Sequence, residues 1–197
     1  IAGTPPFTIL DLGCGPGRDL MAFKAMGHAA IGLDGSASFV EMARADTGCE
    51  VWQQDFLALD LPAAHFDGIF ANATLFHVPR AELPRVLKDL HGTLKPGGVL
   101  FCSNPRGDNR EGWSNGRYGV WHDLDAWRAF LTSAGFIELE HYYRPPGLPR
   151  FMNGKASAHH ARPITGTQMS SDLRKNLRNG MRPWNTFCST RMSVHVW

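Results

Sequence analysis

Two kinds of apolar pattern alternate along the first part of the chain. Short continuous apolar runs are typical of buried strands, whereas apolar residues that recur every three or four positions are typical of amphipathic helices. The runs predict six strands, at residues 8–12, 29–33, 50–53, 66–71, 99–103 and 136–143. The helical spacing predicts four helices, at residues 19–26, 37–45, 80–94 and 124–134.

The order of these elements predicts the fold class. Strands that alternate with helices form an α/β, doubly wound and mostly parallel sheet with helices on both faces. After residue 150 the periodicity weakens, and only a polar helix at residues 169–180 and a strand at residues 191–197 are predicted. We therefore expect a ligand-binding domain at residues 1–150 and a basic tail at residues 151–197.

Polar residues cluster where the predicted strands end. In open parallel sheets, ligands bind beyond the carboxyl ends of the strands. Five stretches fall at such ends, namely residues 13–17, Asp34, Asp55, residues 72–77 and Asn104. Their convergence on one edge of the sheet indicates a single ligand site.

The first of these stretches, Gly13-Cys14-Gly15-Pro16-Gly17, joins the first strand to the first helix. Glycine allows backbone angles that a side chain forbids, and it lets a ligand approach the main chain. The helix that follows presents unpaired N–H groups and a partial positive charge. The turn therefore predicts a ligand with an acceptor-rich or anionic group.

The composition, 43% hydrophobic and 11% aromatic in 197 residues, is that of a globular protein. No apolar run approaches the ~18 residues that a membrane span needs, and residues 1–7 lack the features of a signal peptide. The four cysteines form no CxxC pair, which favours reduced thiols in a cytoplasmic protein over a disulfide or zinc framework. His159-His160 lacks ligand-spaced partners, so no metal is expected.

The net charge of +2 hides an asymmetry between the two parts of the chain. Residues 1–150 contain 13 Lys and Arg against 17 Asp and Glu, and residues 151–197 contain 7 against 1. An acidic body disfavours nucleic-acid binding, and a basic tail is more often a solvated surface. The expected partner is a small molecule, with neither a membrane nor a nucleic acid, and the oligomeric state is left open.

Two ligands use a glycine turn of this kind, a dinucleotide and S-adenosylmethionine. The dinucleotide fingerprint is GxGxxG, whereas residues 13–17 read GxGxG, with Asp11 two positions before the first glycine. Asp34 suits both ligands, because a carboxylate at the end of the second strand accepts hydrogen bonds from ribose hydroxyls. Gln54-Asp55-Phe56 favours S-adenosylmethionine, because a carboxylate and an aromatic ring at the third strand can hold an adenine.

Six motifs between residues 7 and 150 carry a family resemblance: ILDLGCGPGRD (9–19), IGLDGS (31–36), QQDF (53–56), FDGIFANATLFHVP (66–79), LKPGGVLFCSNP (94–105) and AGF (134–136). Together they resemble the class I S-adenosylmethionine-dependent methyltransferases, in particular the bacterial small-molecule branch often called type 11. The resemblance implies a Rossmann-like methyltransferase fold with S-adenosylmethionine as cofactor. It also implies methyl transfer to O, N or S of a small-molecule acceptor.

The resemblance assigns cofactor binding to a set of residues at the sheet edge: Asp11, Gly13, Cys14, Gly15, Gly17, Arg18, Asp19, Asp34, Gly35, Ser36, Asp55, Phe56, Asn72 and Ala73. The residues of the first motif lie against the methionine part of the cofactor. Asp34 takes the ribose hydroxyls, and Asp55 and Phe56 hold the adenine. Asn72 and Ala73 lie beside the sulfonium.

Acceptor binding is predicted for residues at and beyond the fifth strand: Asn104, Arg106, Trp113, Tyr118 and His122. They flank the polar, glycine-rich residues 108–119, which are expected to form a long loop that acts as a lid. Plainer interpretations stay open. Arg106 suits a solvated side chain, the aromatic residues suit ordinary packing, and His122 suits a helix start capped by Asp123.

Methyl transfer from a sulfonium is an in-line displacement, in which the protein mainly positions the acceptor and removes its water. A general base is needed only where the acceptor must lose a proton. His77 is the candidate base, because imidazole titrates near neutrality and this residue follows the fourth strand. The alternative is that His77 caps the next helix or lines the adenosyl pocket.

The sequence departs from the family pattern at both ends. Family members usually carry one or two helices before the first strand, and we expect these to be missing because almost nothing precedes Thr8. They also usually finish with an antiparallel hairpin soon after the sixth strand, which is uncertain here.

Three alternatives to a small-molecule methyltransferase stay open. The first is a truncated or degenerate member that binds the cofactor without turnover. A protein or nucleic-acid methyltransferase ranks next, and a dinucleotide oxidoreductase ranks last.

Overall fold

A computed structural model describes residues 1, 3–114, 116–144 and 189–195. The strands are β1 (Thr8–Leu12), β2 (Ala29–Asp34), β3 (Glu50–Gln53), β4 (Phe66–Asn72), β5 (Leu94–Pro105), β6 (Arg110–Ser114), β7 (Arg117–Trp121), β8 (Ile137–Arg144) and β9 (Ser189–His195). The helices are α1 (Arg18–Ala25), α2 (Ala37–Thr47), α3 (Leu83–Thr93) and α4 (Leu124–Ser133), with a short 3-10 helix at Leu75–His77.

Seven strands form one sheet in the order β3-β2-β1-β4-β5-β9-β8. Strands β1 to β5 pair in parallel, and β9 pairs antiparallel with both β5 and β8. The predicted doubly wound, mostly parallel sheet is confirmed, and the antiparallel hairpin that the sequence left uncertain is present. The strand order reverses between β1 and β4, which is where such sheets bind their ligands.

Helices cover both faces of the sheet, as predicted. Successive residues of a strand point to opposite faces. Leu10 of β1 and Ile69 of β4 belong to the largest core cluster, which α3 and α4 complete. Ile9 and Phe70, one position away, pack instead with Phe23 of α1. Helix α2 packs beside α1 in a neighbouring cluster, so α1 and α2 lie on one face and α3 and α4 on the other.

Two predicted boundaries differ from the structure by three or more residues. Helix α3 begins at Leu83 and not at residue 80, and Pro84 then occupies its first turn, where no N–H is needed. Strand β5 begins at Leu94 and not at residue 99. Leu94 pairs with Phe66 of β4, and residues 95–98 form an irregularity before the regular register resumes. The Pro96-Gly97-Gly98 sequence, which interrupts the helical pattern, therefore lies inside a long, irregular strand.

The prediction that residues 108–119 form a long loop was wrong. Strands β6 and β7 pair there as an antiparallel hairpin that forms its own two-stranded sheet. Ser114 pairs with Arg117, which leaves two residues between the strands. Asn115-Gly116 is a strong signal for such a two-residue connection, and the polar composition around it concealed this signal.

Strand β9 belongs to the main sheet, although it comes from the part of the chain that was predicted to be a tail. The domain division at residue 150 stays a prediction, and the predicted helix at residues 169–180 lies outside the described residues. Within the residues that the structure covers, no helix is long and apolar enough to cross a membrane.

Candidate functional site

The glycine turn between β1 and α1 lies at the carboxyl edge of the sheet. Gly13, Gly15 and Gly17 have φ angles of 74°, 52° and 90°, in the left-handed region that glycine favours. A Cβ at Gly13 would lie 2.6 Å from Oγ1 of Thr74, and one at Gly17 would lie 2.6 Å from Cγ2 of Thr47. A Cβ at Gly15 would meet no described atom within 4 Å. The turn is therefore packed at both ends and open in the middle, where a ligand can reach the main chain.

The residues around the open glycine supply backbone groups and charges. The N–H groups of Gly13 and Cys14 donate to the carbonyl of Leu33, at 2.7 and 3.1 Å, and this ties the turn to β2. Burial raises the pKa of the Cys14 thiol to about 12, so Cys14 is a neutral packing residue. Arg18 and Asp19 form an ion pair at 3.0 Å at the start of α1.

Asp11 is the buried acid of the site. Its side chain is 2% exposed, and Oδ2 has no hydrogen-bond partner among the described residues. Burial raises the pKa of Asp11 well above its usual value, and the nearby carboxylate of Asp19 raises it further. A cationic ligand group placed here would supply the missing partner and favour the ionised carboxyl.

Asp34 joins the glycine turn to the end of β2. Its Oδ2 accepts from the N–H of Gly15 and its Oδ1 from the N–H of Ser36, both at 2.9 Å. Each carboxylate oxygen has a second lone pair, so the same side chain can still accept from a hydroxyl. Gly35 lies between Asp34 and Ser36. The side chain of Ser36 caps α2 by accepting a hydrogen bond from the N–H of Phe39.

Asp55 and Phe56 follow β3, as predicted, and each also has a structural role. Asp55 is exposed, and its Oδ1 accepts from the N–H of Leu57 at 2.8 Å, which closes a tight turn. Phe56 is partly buried against the core on the α3 and α4 face. The two side chains therefore occupy the carboxyl edge of β3, next to β2 and Asp34.

Asn72 and Ala73 stand at the end of β4, where bonds from both neighbouring strands converge. Oδ1 of Asn72 accepts from Oγ of Ser103 at 2.6 Å, and the N–H of Ala73 donates to the carbonyl of Ser103 at 2.8 Å. Ala73 has a φ of 58°, which is strained for a residue with a Cβ. Oγ1 of Thr74 donates to the carbonyl of Leu12 of β1 at 2.9 Å.

These features fit S-adenosylmethionine. The orphaned oxygen of Asp11 suits an ammonium group, and Asp34 suits a ribose diol. The open Gly15 leaves room between them. Among the described residues, no group of His, Cys, Asp and Glu is arranged to hold a metal ion.

Three of the predicted transfer and acceptor residues meet beside the end of β4. Nδ1 of His77 lies 2.7 Å from the carbonyl oxygen of Tyr118, which belongs to β7. Asn104 is buried at the end of β5, and its Oδ1 accepts from the N–H of Phe76 at 3.1 Å. The structure thus brings His77, Tyr118 and Asn104 together around the short 3-10 helix.

The other predicted acceptor residues lie elsewhere. The guanidinium of Arg106 lies 4.9 Å from the ring centre of Tyr143 on β8, which is on the opposite side of β5 from β4. Trp113 is 76% exposed near the hairpin turn. His122 is buried and packs edge-on against Trp127 and Phe130, so it contacts core side chains and not an open site. Asp123 caps α4 through the N–H of Ala126, as the plainer interpretation expected.

Sequence reasoning missed three residues that organise this edge. Thr74 and Ser103 tie β1, β4 and β5 together through hydroxyl bonds, and a polar side chain at an otherwise apolar strand end was the available signal. Glu111 of β6 bonds to the N–H of Arg80, which lies 31 positions earlier. No sequence pattern near either residue indicates such a contact.

Residues 9–98 match the family profile described as "Methyltransferase domain". The trans-aconitate 2-methyltransferase of Azoarcus sp. (strain BH72) is 38% identical over 101 residues, which are 50% of this chain and 39% of that protein. The malonyl-[acyl-carrier protein] O-methyltransferase of Erwinia pyrifoliae is 32% identical over 105 residues, which are 52% of this chain and 39% of that protein. The chain thus spans about two-fifths of the length of these relatives.

Solved structures share the fold. An S-adenosylmethionine-dependent methyltransferase from Mesorhizobium loti superposes with a TM-score of 0.69 at 19% identity, covering 99% of this chain and 93% of that one. The Burkholderia thailandensis 1,6-didemethyltoxoflavin-N1-methyltransferase, solved with its acceptor and S-adenosylhomocysteine, gives 0.68 at 19% identity, covering 97% and 71%. At this identity the likeness concerns the fold alone.

Proposed function

We propose that this chain is a class I S-adenosylmethionine-dependent methyltransferase and that it transfers the methyl group of S-adenosylmethionine to O, N or S of a small molecule. The match of residues 9–98 to the methyltransferase profile supports this proposal. The observation that carries the proposal is the glycine turn, open at Gly15 and backed by the buried, partly unpartnered Asp11. The name of the Azoarcus relative supports a small acceptor, since trans-aconitate is a small molecule.

The residues proposed to hold the cofactor follow the edge from β1 to β4. Asp11 accepts from the ammonium group, Asp34 from the ribose hydroxyls, and Asp55 from the adenine amino group beside the ring of Phe56. The main chain at Gly15 borders the methionine part. When bound, S-adenosylmethionine supplies an electrophilic methyl group on a sulfonium that leaves readily.

The residues of the chain then position the acceptor and take up its proton. Residues 72–77 border the acceptor at the point where β4, β5 and the hairpin converge. His77 is the proposed base, which takes a proton from the acceptor where the acceptor atom carries one. A positioned base of this kind contributes roughly 10²–10⁴-fold to the rate.

Calorimetric titration with S-adenosylhomocysteine tests the cofactor site. We expect Asp34→Ala and Asp55→Ala each to weaken binding by roughly 10-fold or more, because each substitution removes a charged hydrogen-bond acceptor. Asp46→Ala, which removes an exposed acid on α2, should bind like the wild type. Unchanged affinity in both site variants, or preferential binding of a nicotinamide dinucleotide, would refute the assignment.

Turnover separates an enzyme from a protein that only binds the cofactor. A metabolite extract incubated with methyl-labelled S-adenosylmethionine should yield a labelled small product. Tight cofactor binding with no incorporation would favour the non-catalytic alternative. Label found only in protein or nucleic acid would instead favour a macromolecular acceptor.

We also propose a cytoplasmic location and no nucleic-acid partner. Cys14, Cys49 and Cys102 are free thiols, which suits a reducing compartment. The excess of acidic residues up to residue 150 disfavours a nucleic-acid surface.

A further inference from the structure

The β6–β7 hairpin is seated on the segment that carries His77. The ring of Phe76 packs against the backbone of Gly119, where a Cβ would lie 3.2 Å from Cδ2 of that ring. The neighbouring residue, Tyr118, offers its carbonyl oxygen to Nδ1 of His77 at 2.7 Å. The hairpin therefore contacts the 3-10 helix through close packing and through one polar bond to the proposed base.

Glu111, on the other strand of the hairpin, bonds both to Arg80 and to Tyr118. Its Oε1 accepts from the N–H of Arg80, at 3.0 Å, and from the hydroxyl of Tyr118. Its Oε2 lies 3.6 Å from Nε of Arg80, and Nη2 of Arg80 donates to the carbonyl of Asn109. The hydroxyl of Tyr118 lowers the pKa of Glu111, and the N–H of Arg80 lowers it further, so this group remains a carboxylate at neutral pH.

The bond to Tyr118 fixes which nitrogen of His77 carries the proton. A carbonyl oxygen only accepts hydrogen bonds, so Nδ1 must be the donor. In a neutral imidazole the other nitrogen, Nε2, then holds the free lone pair. The hairpin thus selects the tautomer in which Nε2 is the proton acceptor.

We propose that the hairpin is the positioning element of His77, that Glu111 is the residue that holds it in place, and that the methyl acceptor is a group that carries a proton at neutral pH. The proposal rests on the proposed function, since it takes His77 as the base. A hydroxyl, a thiol or an amine needs a base for methylation, whereas a carboxylic acid is already ionised near neutrality.

In the proposed reaction the methyl group moves to the acceptor and the acceptor's proton moves to His77. The acceptor's lone pair forms the bond to the methyl carbon while the carbon–sulfur bond breaks and its electron pair returns to sulfur. The acceptor's proton moves to Nε2 of His77, and the positive charge of the sulfonium ends on the imidazolium. Glu111 and Tyr118 take no part in bond making, and they act only through the orientation of His77.

Nitrogen-15 correlation spectra of the histidine rings test the positioning role. The His77 signals are identified by their loss in His77→Gln. At a pH where the ring is neutral, the wild type should show a protonated Nδ1 and an unprotonated Nε2. Glu111→Ala should shift His77 toward mixed tautomers, and Glu111→Gln, which keeps a side-chain oxygen acceptor, should largely restore the wild-type pattern.

Two further variants keep this test decisive. Tyr118→Phe removes only the hydroxyl bond to Glu111 and should give a smaller tautomer shift with the sheet signals unchanged. Glu82→Ala is the matched control, because it removes an exposed acid that pairs with Arg85 away from the hairpin. A wild-type His77 protonated at Nε2, or an unchanged tautomer in both Glu111→Ala and Tyr118→Phe, would overturn the positioning role.

The acceptor class is tested on the labelled product of the metabolite incubation. Label that survives mild alkali identifies an ether, amine or thioether, as expected. Label released as methanol identifies a methyl ester and would overturn the acceptor class. Failure of S-adenosylhomocysteine to bind would instead reject the proposed function, while the tautomer spectra would still decide the role of the hairpin.

Discussion

The two carboxylates at the sheet edge, Asp11 and Asp34, differ in their hydrogen-bond partners. Both oxygens of Asp34 accept backbone N–H bonds, so this side chain shapes the turn before any ligand arrives. Asp11 is buried with one oxygen that no described residue satisfies. An acidic residue near a glycine turn is visible in the sequence, but this difference is not, because it depends on contacts made by the folded backbone.

His122 shows the same limit of sequence reasoning. The sequence placed it beyond the fifth strand as an acceptor-binding candidate, whereas the structure buries it against Trp127 and Phe130. Its side chain packs on α4, and that packing is set by the tertiary arrangement alone. The charged groups near it are Arg80, Glu111 and Asp123.

Burial of His122 makes the stability of the protein depend on pH. Burial lowers the pKa of His122 to about 4, whereas an unfolded chain has the ordinary value of 6.5. Between these values the unfolded state binds more protons, so the free energy of unfolding falls as pH falls, by about 2 kcal/mol between pH 7 and pH 5 from this residue. Urea unfolding of the wild type and His122→Gln at both pH values should show a smaller loss in the variant. His65→Gln, at an exposed site, should lose as much unfolding free energy between the two pH values as the wild type. Equal losses in all three proteins would show that His122 is not the source of the pH dependence.

At the scale of elements, the apolar pattern predicted the strands and helices that the core requires. Strand β3 has its predicted bounds, because a short apolar run between polar residues leaves little choice. The β6–β7 hairpin was missed, because it packs on the 3-10 helix and presents much of its surface to solvent, so it carries no long apolar run. The early start of β5 was missed because proline and glycine concealed an irregular pairing.

The turn between β1 and α1 should be intolerant of a side chain at its packed end. Gly13→Ala combines a left-handed backbone angle with a Cβ 2.6 Å from Oγ1 of Thr74. Gly27→Ala has a similar φ of 81° but no described atom within 4 Å of its Cβ, so it isolates the backbone cost. We expect Gly13→Ala to lose about 1–3 kcal/mol more of unfolding free energy than Gly27→Ala. Chemical denaturation measures both, and equal losses would show that Thr74 moves aside freely.

At the scale of the whole molecule, the sheet order brings distant parts of the chain to one edge. The glycine turn, Asp34 and residues 72–77 come from β1, β2 and β4, which are neighbours in the sheet. The alternation of strands and helices predicted this convergence. The place of β9 between β5 and β8 could not be read from spacing, because the residues before it follow no pattern that indicates a connection.

Strand β9 should be essential to the sheet because it has a partner on each side. At residue 192 it pairs with Cys102 of β5 and His141 of β8. A proline there removes a ladder N–H in an interior strand, so Met192→Pro should cost about 3 kcal/mol or more of unfolding free energy. Met192→Ala keeps the N–H and controls for the loss of the side chain. A Met192→Pro protein as stable as Met192→Ala would show that β9 contributes little.

The position of β9 also has a consequence for the order of folding. During synthesis β5 and β8 leave the ribosome before β9, and β5 then has an unpaired edge until residue 195 has emerged. Such an edge can pair with other chains. The nascent protein is therefore most prone to aggregation after β5 has emerged and before β9 has, and chaperone binding should be strongest in that interval.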